Sequence, residues 1–508
     1  MKFNNLLYIS FTKKDIQVLK LNTLKIFKVF FLSKNIEKGE IKLSLKINFK
    51  ELFNDKKFYK NLFLLSMPIV LQQLIASSLN MLDTVMIGMV GETELASVGI
   101  ANQYYFLFSI FIMGISSGCS VFISQLWGKK DKENIRKVLG IGLISGMIIT
   151  ALFTIIALLI PKSIIGIFNK DIEVIRLGSE YLIIVCLSYV FTAISFNFAA
   201  ASRSIENTVL PMVASLAGLI CNGILNYVFI FGKLGFGAMG VKGAAIATLI
   251  ARIVESIILV APIYFAKGIL AVKFKEIFSI TKDLVKSVYA TIIPVMLNEA
   301  CWGFGNVTYA IIYGRIGTQA SAAIQICTTV QNLFMIITFG LANASVVIVG
   351  KEIGSGREER GKLYARRLCA VSALVGLALS FILALSAPMV LSLFNVSQAV
   401  LNDALLILYI YAVVMTAKVY NVMLIVGVLR GGGDAKFGAM VQGITLWFIG
   451  IPLAFVAAFI FKFPVYIVAL MTAIEETIKV VILVKRFISN KWINNVIKDI
   501  ENESEIAI

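Results

Sequence analysis

The chain has 508 residues, of which 59% are hydrophobic and only 15% charged, with a mean hydropathy of +0.89. Soluble domains carry about 25% charged residues, so there is too little polar side chain here to cover a water-exposed surface, and the composition reads as a polytopic membrane protein. The net charge of +18 is not a nucleic-acid signal: residues 1–60 hold fourteen lysines against five acidic residues, half of the total, and the remainder clusters in short loops between apolar runs.

The chain contains no histidine, which removes the commonest general base and the commonest metal ligand. Cys119, Cys186, Cys221, Cys301, Cys327 and Cys369 lie singly in or beside apolar runs, so neither a zinc site nor a disulfide framework is suggested. We expect no catalytic residue, no metal and no cofactor.

Residues 1–58 form a basic extension, rich in Lys, Asn and Ile, with weak periodicity. A disordered or surface-associated segment held by anionic lipid is the expectation. Its apolar stretch "TLKIFKVFFL" is short and broken by lysines, unlike a signal peptide. Apolar runs then follow near 61–88, 100–126, 138–160, 177–200, 208–231, 243–266, 288–314, 321–349, 368–386, 401–427, 437–461 and 464–484. Lipid offers no water to the backbone, so these are read as helices. The expected fold is an all-α integral membrane protein with twelve transmembrane helices as two parallel six-helix repeats. Residues 59–270 make the first bundle, 271–287 a cytoplasmic amphipathic linker, 288–487 the second bundle, and 488–508 a cytoplasmic tail.

The loops after spans two, six and eight are basic, as in "WGKKDKENIRK" and "GKEIGSGREERGKLYARR". Those after spans one and nine have no Lys or Arg. Basic loops stay in the cytoplasm, which predicts both termini there and a cell-membrane location.

The chain also repeats itself. A constant shift of 226 residues pairs Pro68 with Pro294, Gly88 with Gly314, Gly114 with Gly340 and Gly128 with Gly354, without a gap. One more inserted residue brings Arg203 onto Arg430. With six spans per half the repeats run parallel, related by an axis along the membrane normal.

Charged groups inside an apolar span are costly and call for explanation. Asp83 lies in span one, nearer its outer end; it is either a proton or cation carrier or a group capped by Thr84 or a loop amide. Glu299 lies near the middle of span seven beside Asn298, and the repeat sets Gln72 and Gln73 opposite this pair. Facing polar pairs at a repeat interface are where cargo binds, although they can also simply join helices. Trp302 and Tyr309 lie near these pairs and offer faces for an organic cation.

Lys418 in span ten is read either as a partner that pairs with Glu299 or Asp83 and releases it on protonation, or as a snorkelling lysine. Arg252 with Glu255 in span six, and Lys479 with Glu475 and Glu476 in span twelve, are spaced for structural ion pairs on one helix face. Arg203 and Arg430 are placed in the loops after spans four and ten, as latch or lipid-phosphate contacts. "LRGGGD" at 429–434 lacks the GxxxxGK[ST] pattern and a preceding strand, so its glycines are assigned to a tight turn.

Several stretches, taken in order, resemble one family. Each half opens with a proline in its first span. "DTVMIG" and "IIYGRIGT" end those first spans, glycine-ended second spans lead into basic loops, and "GVLRGGGD" follows span ten. Over roughly residues 60–487 the chain is similar to the multidrug and toxic compound extrusion (MATE) transporters. The resemblance implies a V-shaped pair of six-helix bundles exporting organic cations in exchange for Na⁺ or H⁺. It implies that Asp83 is a proton or cation site and that Glu299 is the functional glutamate of span seven. Members with a Na⁺ site often carry an aspartate in span ten, where this chain offers Val419 beside Lys418. A lysine opposes a bound cation, which favours H⁺ over Na⁺.

The expected activity is therefore a secondary antiporter, monomeric, with small organic cations and the lipid bilayer as its partners. A lipid-linked oligosaccharide flippase or a metabolite exporter of the same fold is the alternative. A major-facilitator protein is disfavoured because its loop signature is not met, and an enzyme or receptor because no soluble domain is present.

Overall fold

In the computed structural model the described residues are 54–498, except 274, 277–278 and 395. Most of the expected basic extension and the last ten residues of the expected tail lie outside them. Among the described residues twelve long helices follow one another: α1 Lys56–Gly88, α2 Glu92–Lys129, α3 Lys132–Leu159, α4 Ile172–Ser204, α5 Val209–Phe231, α6 Gly240–Phe265, α7 Lys282–Ile316, α8 Thr318–Gly354, α9 Glu358–Leu391, α10 Gln398–Leu429, α11 Ala435–Ile460 and α12 Val465–Ile488. No strand occurs among the described residues. Among the described residues eleven of these helices are long and apolar enough to cross a membrane; α12 is diluted by Glu475, Glu476 and Lys479.

Helix starts follow their capping chemistry. Asp55 accepts from the Phe58 N–H ahead of α1, Asp131 from Asn134 ahead of α3, Asp171 from Glu173 and Val174 ahead of α4, and Thr281 from Leu284 ahead of α7. Pro68 and Pro294 both lie inside their helices.

Each half buries its own apolar core. One cluster of the first bundle centres on Phe108, Tyr189 and Ile165, and a second, on Phe122 and Leu139, takes in Val288 of α7 as well. The second bundle gathers Leu383, Ile407, Met415, Val419 and Val468. The halves meet where α2 packs on α7 and α8, and α8 packs on α1.

Those crossings obey the repeat. A Cβ on Gly114 would drive into Met296, and a Cβ on its mate Gly340 would drive into Val70, itself the mate of Met296. Farther along, a Cβ on Gly128 would strike the Lys351 carbonyl, and one on Gly354 the Gln125 carbonyl; these four residues are again two mate pairs. Reciprocal contacts of this kind are the mark of a two-fold relationship, and small residues are what let helix backbones approach in lipid.

Candidate polar sites within and between the bundles

The first bundle contains a polar seam. Residues on one face of α5, spaced at 215, 222 and 226, meet residues on one face of α6, spaced at 248, 252 and 255. The Asn226 amide donates to Asp83 and to Asn222 Oδ1 (3.0 Å), and Asn222 donates to Thr248 (3.4 Å). Both asparagines are fully buried. Asp83 is thus held by α5, inside the bundle. Thr84 is not its cap, since that hydroxyl donates to the Asn80 carbonyl.

Deeper toward the end that carries the basic loops, Arg252 pairs with Glu255 at 2.7 Å and stands in electrostatic reach of Asp83. Ser215 donates to Glu255 (2.8 Å), Gln72 donates to Ser215 (3.1 Å), and Arg203 donates to Gln72 (3.0 Å). Donors and acceptors do not balance at Asp83: the Asn226 carbonyl oxygen is buried without a donor.

Where the bundles meet, Arg430, directly after the last residue of α10, donates to Glu299 of α7 at 2.9 Å and, across to the first bundle, to Ser117 of α2 at 2.7 Å. Asn298, beside Glu299, is buried with its carbonyl oxygen undonated. Each half therefore sends the arginine near the end of its fourth helix, Arg203 or Arg430, back to the polar pair of its first helix. This corrects the expectation that both arginines lie in loops. The helices run on past the hydrophobic windows, and the guanidinium groups turn inward, where carboxylate, amide and hydroxyl acceptors await them. Gln73 and Trp302 are exposed and make no side-chain hydrogen bond to one another.

The second bundle holds a charged cluster. Lys479 Nζ lies 2.7 Å from Glu475 and 3.3 Å from Glu476. Glu475 also accepts from the Tyr309 hydroxyl (3.1 Å) and from Thr445 (3.4 Å), and Glu476 accepts from Asn421 (2.6 Å). Tyr309 stands at the repeat position of Asp83, so its ring serves this cluster. Lys418 donates to Gln331 (2.8 Å) and faces Glu476 and Glu475. The expected pairing of Lys418 with Glu299 or Asp83 is therefore corrected: α10 turns that lysine into the second bundle, toward α8 and α12. Sequence reasoning missed Asn222, Asn226 and Ser215. An Asn pair four residues apart in an otherwise apolar span was the available signal.

Comparison with known proteins agrees with this architecture. A family model described as MatE matches residues 68–228 and 294–456, the two repeats. An uncharacterized transporter of Bacillus subtilis, YisQ, is 24% identical over 444 residues, covering 86% of this chain and 96% of that protein. A probable multidrug resistance protein, NorM, of Thermotoga maritima is 24% identical over 460 residues, covering 88% and 96%. The crystal structure of a Vibrio cholerae MATE transporter, VcmN, in a bent form superposes with a TM-score of 0.77 at 18% identity, covering 87% of this chain and 98% of that one.

Proposed function

Since the chain belongs to the MatE family, the multidrug and toxic compound extrusion transporters, we propose that it is an H⁺-coupled antiporter exporting small organic cations by alternating access between its two bundles. In this reading it works as a monomer in the cytoplasmic membrane with both termini in the cytoplasm, and needs no cofactor. It is a membrane transporter and not an enzyme.

The observation that carries the proposal is the acceptor excess at Asp83. The carboxylate and the undonated Asn226 carbonyl lie together inside the first bundle. A proton on Asp83 cancels a charge buried in lipid, and after rotation of the Asn226 amide it supplies the missing donor. Losing that proton restores the charge and the Asn226-to-Asp83 bond. The two protonation states thus prefer different packing of α1 against α5, which is how a bound ion biases one facing of a transporter. Arg252, within electrostatic reach, opposes a Na⁺ at the same place. The cargo cation competes with the Arg430 guanidinium for Glu299 at the bundle interface.

One observation favours a second reading, a metabolite exporter or lipid-linked oligosaccharide flippase. Of the two repeat-related arginines, Arg430 meets the carboxylate of Glu299, while Arg203 meets only the amide of Gln72, and no carboxylate pairs with Arg203 among the described residues. Such a balance suits an anionic group.

Purified protein in liposomes decides. An imposed pH gradient should drive ethidium-like dye movement, and Asp83→Asn and Glu299→Gln should each abolish it. If both variants pump normally, the site assignment fails; movement driven by Na⁺ but not by a pH gradient rejects the proton; movement of an anionic cargo alone selects the second reading.

A further inference from the structure

The cluster in the second bundle is built like a cation site. Two carboxylates, Glu475 and Glu476, follow each other on α12, and both are met by one ammonium group, at 2.7 and 3.3 Å. Oxygens from three other helices surround them: the Tyr309 hydroxyl of α7, the Thr445 hydroxyl of α11, and the amide of Asn421 on α10. Asn421 is 2% exposed, and while its nitrogen donates to Glu476, its carbonyl oxygen has no donor. Room for the Tyr309–Glu475 bond exists because α11 presents Gly450 there; a Cβ at that position would overlap both groups. Gly450 closes one of the π turns of α11, Leu446–Gly450, and such turns recur at functional sites.

We propose that this is a monovalent-cation site whose occupant is the chain's own ammonium, Lys479. A lysine carries a compact charge with three donors, and tethering removes the cost of capturing a free ion. The consequence is that this cluster keeps the same charge in every state of the cycle, with Lys418 balancing the second carboxylate, and exchanges no ion. Ion exchange is left to the first bundle. The ligand class that fits when Lys479 is removed is a small monovalent cation, with ammonium and methylammonium matching best. The inference concerns binding, so it stands or falls independently of whether Asp83 carries H⁺ or Na⁺.

The test uses the full-length protein in nanodiscs with Asp83→Asn throughout, so that the carboxylate proposed to exchange an ion cannot respond. Melting is followed in choline, sodium, ammonium and methylammonium chloride at equal ionic strength. With Lys479 present, the melting temperature should not depend on which cation is used. Lys479→Ala should melt lower in choline and recover by several degrees, saturably, in ammonium or methylammonium, because a ligand bound only by the folded state raises its stability. Adding Glu475→Gln should remove the recovery. Lys479→Met separates folding from binding: it fills the space without charge and should show no recovery. If Lys479→Ala melts alike in all four salts, or if it fails to fold in every salt while Lys479→Met folds, the proposal is wrong. A cation response of equal size with Lys479 intact would also overturn it.

Discussion

Arg430 lies 2.9 Å from Glu299, its guanidinium almost wholly buried while the carboxylate keeps partial exposure. The pair joins α10 to α7, and the same guanidinium reaches Ser117 on α2 of the other half. Removing the carboxylate strands a buried cation. Glu299→Gln should therefore destabilise by about 2–3 kcal/mol, below the usual cost for a fully buried pair because Glu299 is partly exposed. Adding Arg430→Gln should restore at least half of the loss. Thermal melting of the two single variants and the double variant checks this; additive losses would show that the pair does not act as a unit.

Asn226 is the group that holds Asp83. Asn226→Leu should leave a helical, folded protein with a melting cost of about 1–3 kcal/mol, the usual cost of a buried polar group that loses its partner. Efflux driven by a pH gradient should fall by about tenfold or more, since the two states of Asp83 then differ less in packing. A normal efflux rate would mean that Asp83 works without its amide.

The fold was largely legible because lipid imposes length and hydropathy on each span. The repeat was legible because close crossings admit only glycine: Gly114 with Gly340 and Gly128 with Gly354 mark the same contacts in both halves. The site was less so. Arg203 and Arg430 looked like loop residues because hydropathy falls where they stand, yet it is their inward pairing that ends the apolar run. Lys418 could not be matched to Gln331 from sequence, because helical spacing gives a residue's face on its own helix and not the neighbour across from it. In α12, Glu475, Glu476 and Lys479 were spaced for pairing, but nothing local showed that Tyr309, Thr445 and Asn421 converge on them.

At the start of α1, Asp55 caps the helix and meets Arg367 of α9 at 2.6 Å. The Phe58 N–H, above all, and the Arg367 guanidinium hold its carboxyl below the ordinary aspartate range, against a smaller effect of burial. A carboxyl depressed in the folded state stabilises at pH above its unfolded value, and that contribution is lost as pH falls through the folded value. Asp55→Asn keeps a capping oxygen and loses the charge. The wild-type advantage in melting temperature should be present at neutral pH, shrink on acidification below about pH 4, and weaken in high salt, because the pair is partly exposed. An advantage independent of pH would assign the effect to the cap alone.

The segment after α12 ties the two halves together at the basic-loop end. Trp492 is 1% exposed, donates to the Phe487 carbonyl (3.1 Å) and lies against Gly432. Five residues on, Ile497 joins the core of the first bundle. Between them Gln125 of α2 holds the backbone with both arms of its amide, donating to the Asn494 carbonyl (3.1 Å) and accepting from the Val496 N–H (3.0 Å). These contacts sit beside the glycine crossing of α2 and α8, so parting the bundles at this end must break them. Gln125→Ala leaves two partly buried backbone groups without their partner, at about 1 kcal/mol, and Trp492→Ala empties a large buried volume, at about 3–5 kcal/mol. If part of that loss, about 1.4 kcal/mol, falls on the closed arrangement alone, opening at this end becomes about tenfold more frequent. A single cysteine at Ser117, in a chain with its six native cysteines replaced, reports the opening. A membrane-impermeant maleimide supplied from the basic-loop side should label it slowly in the parent and about tenfold faster in Trp492→Ala. Equal labelling rates in a variant that still melts cooperatively would show that the segment only fills space.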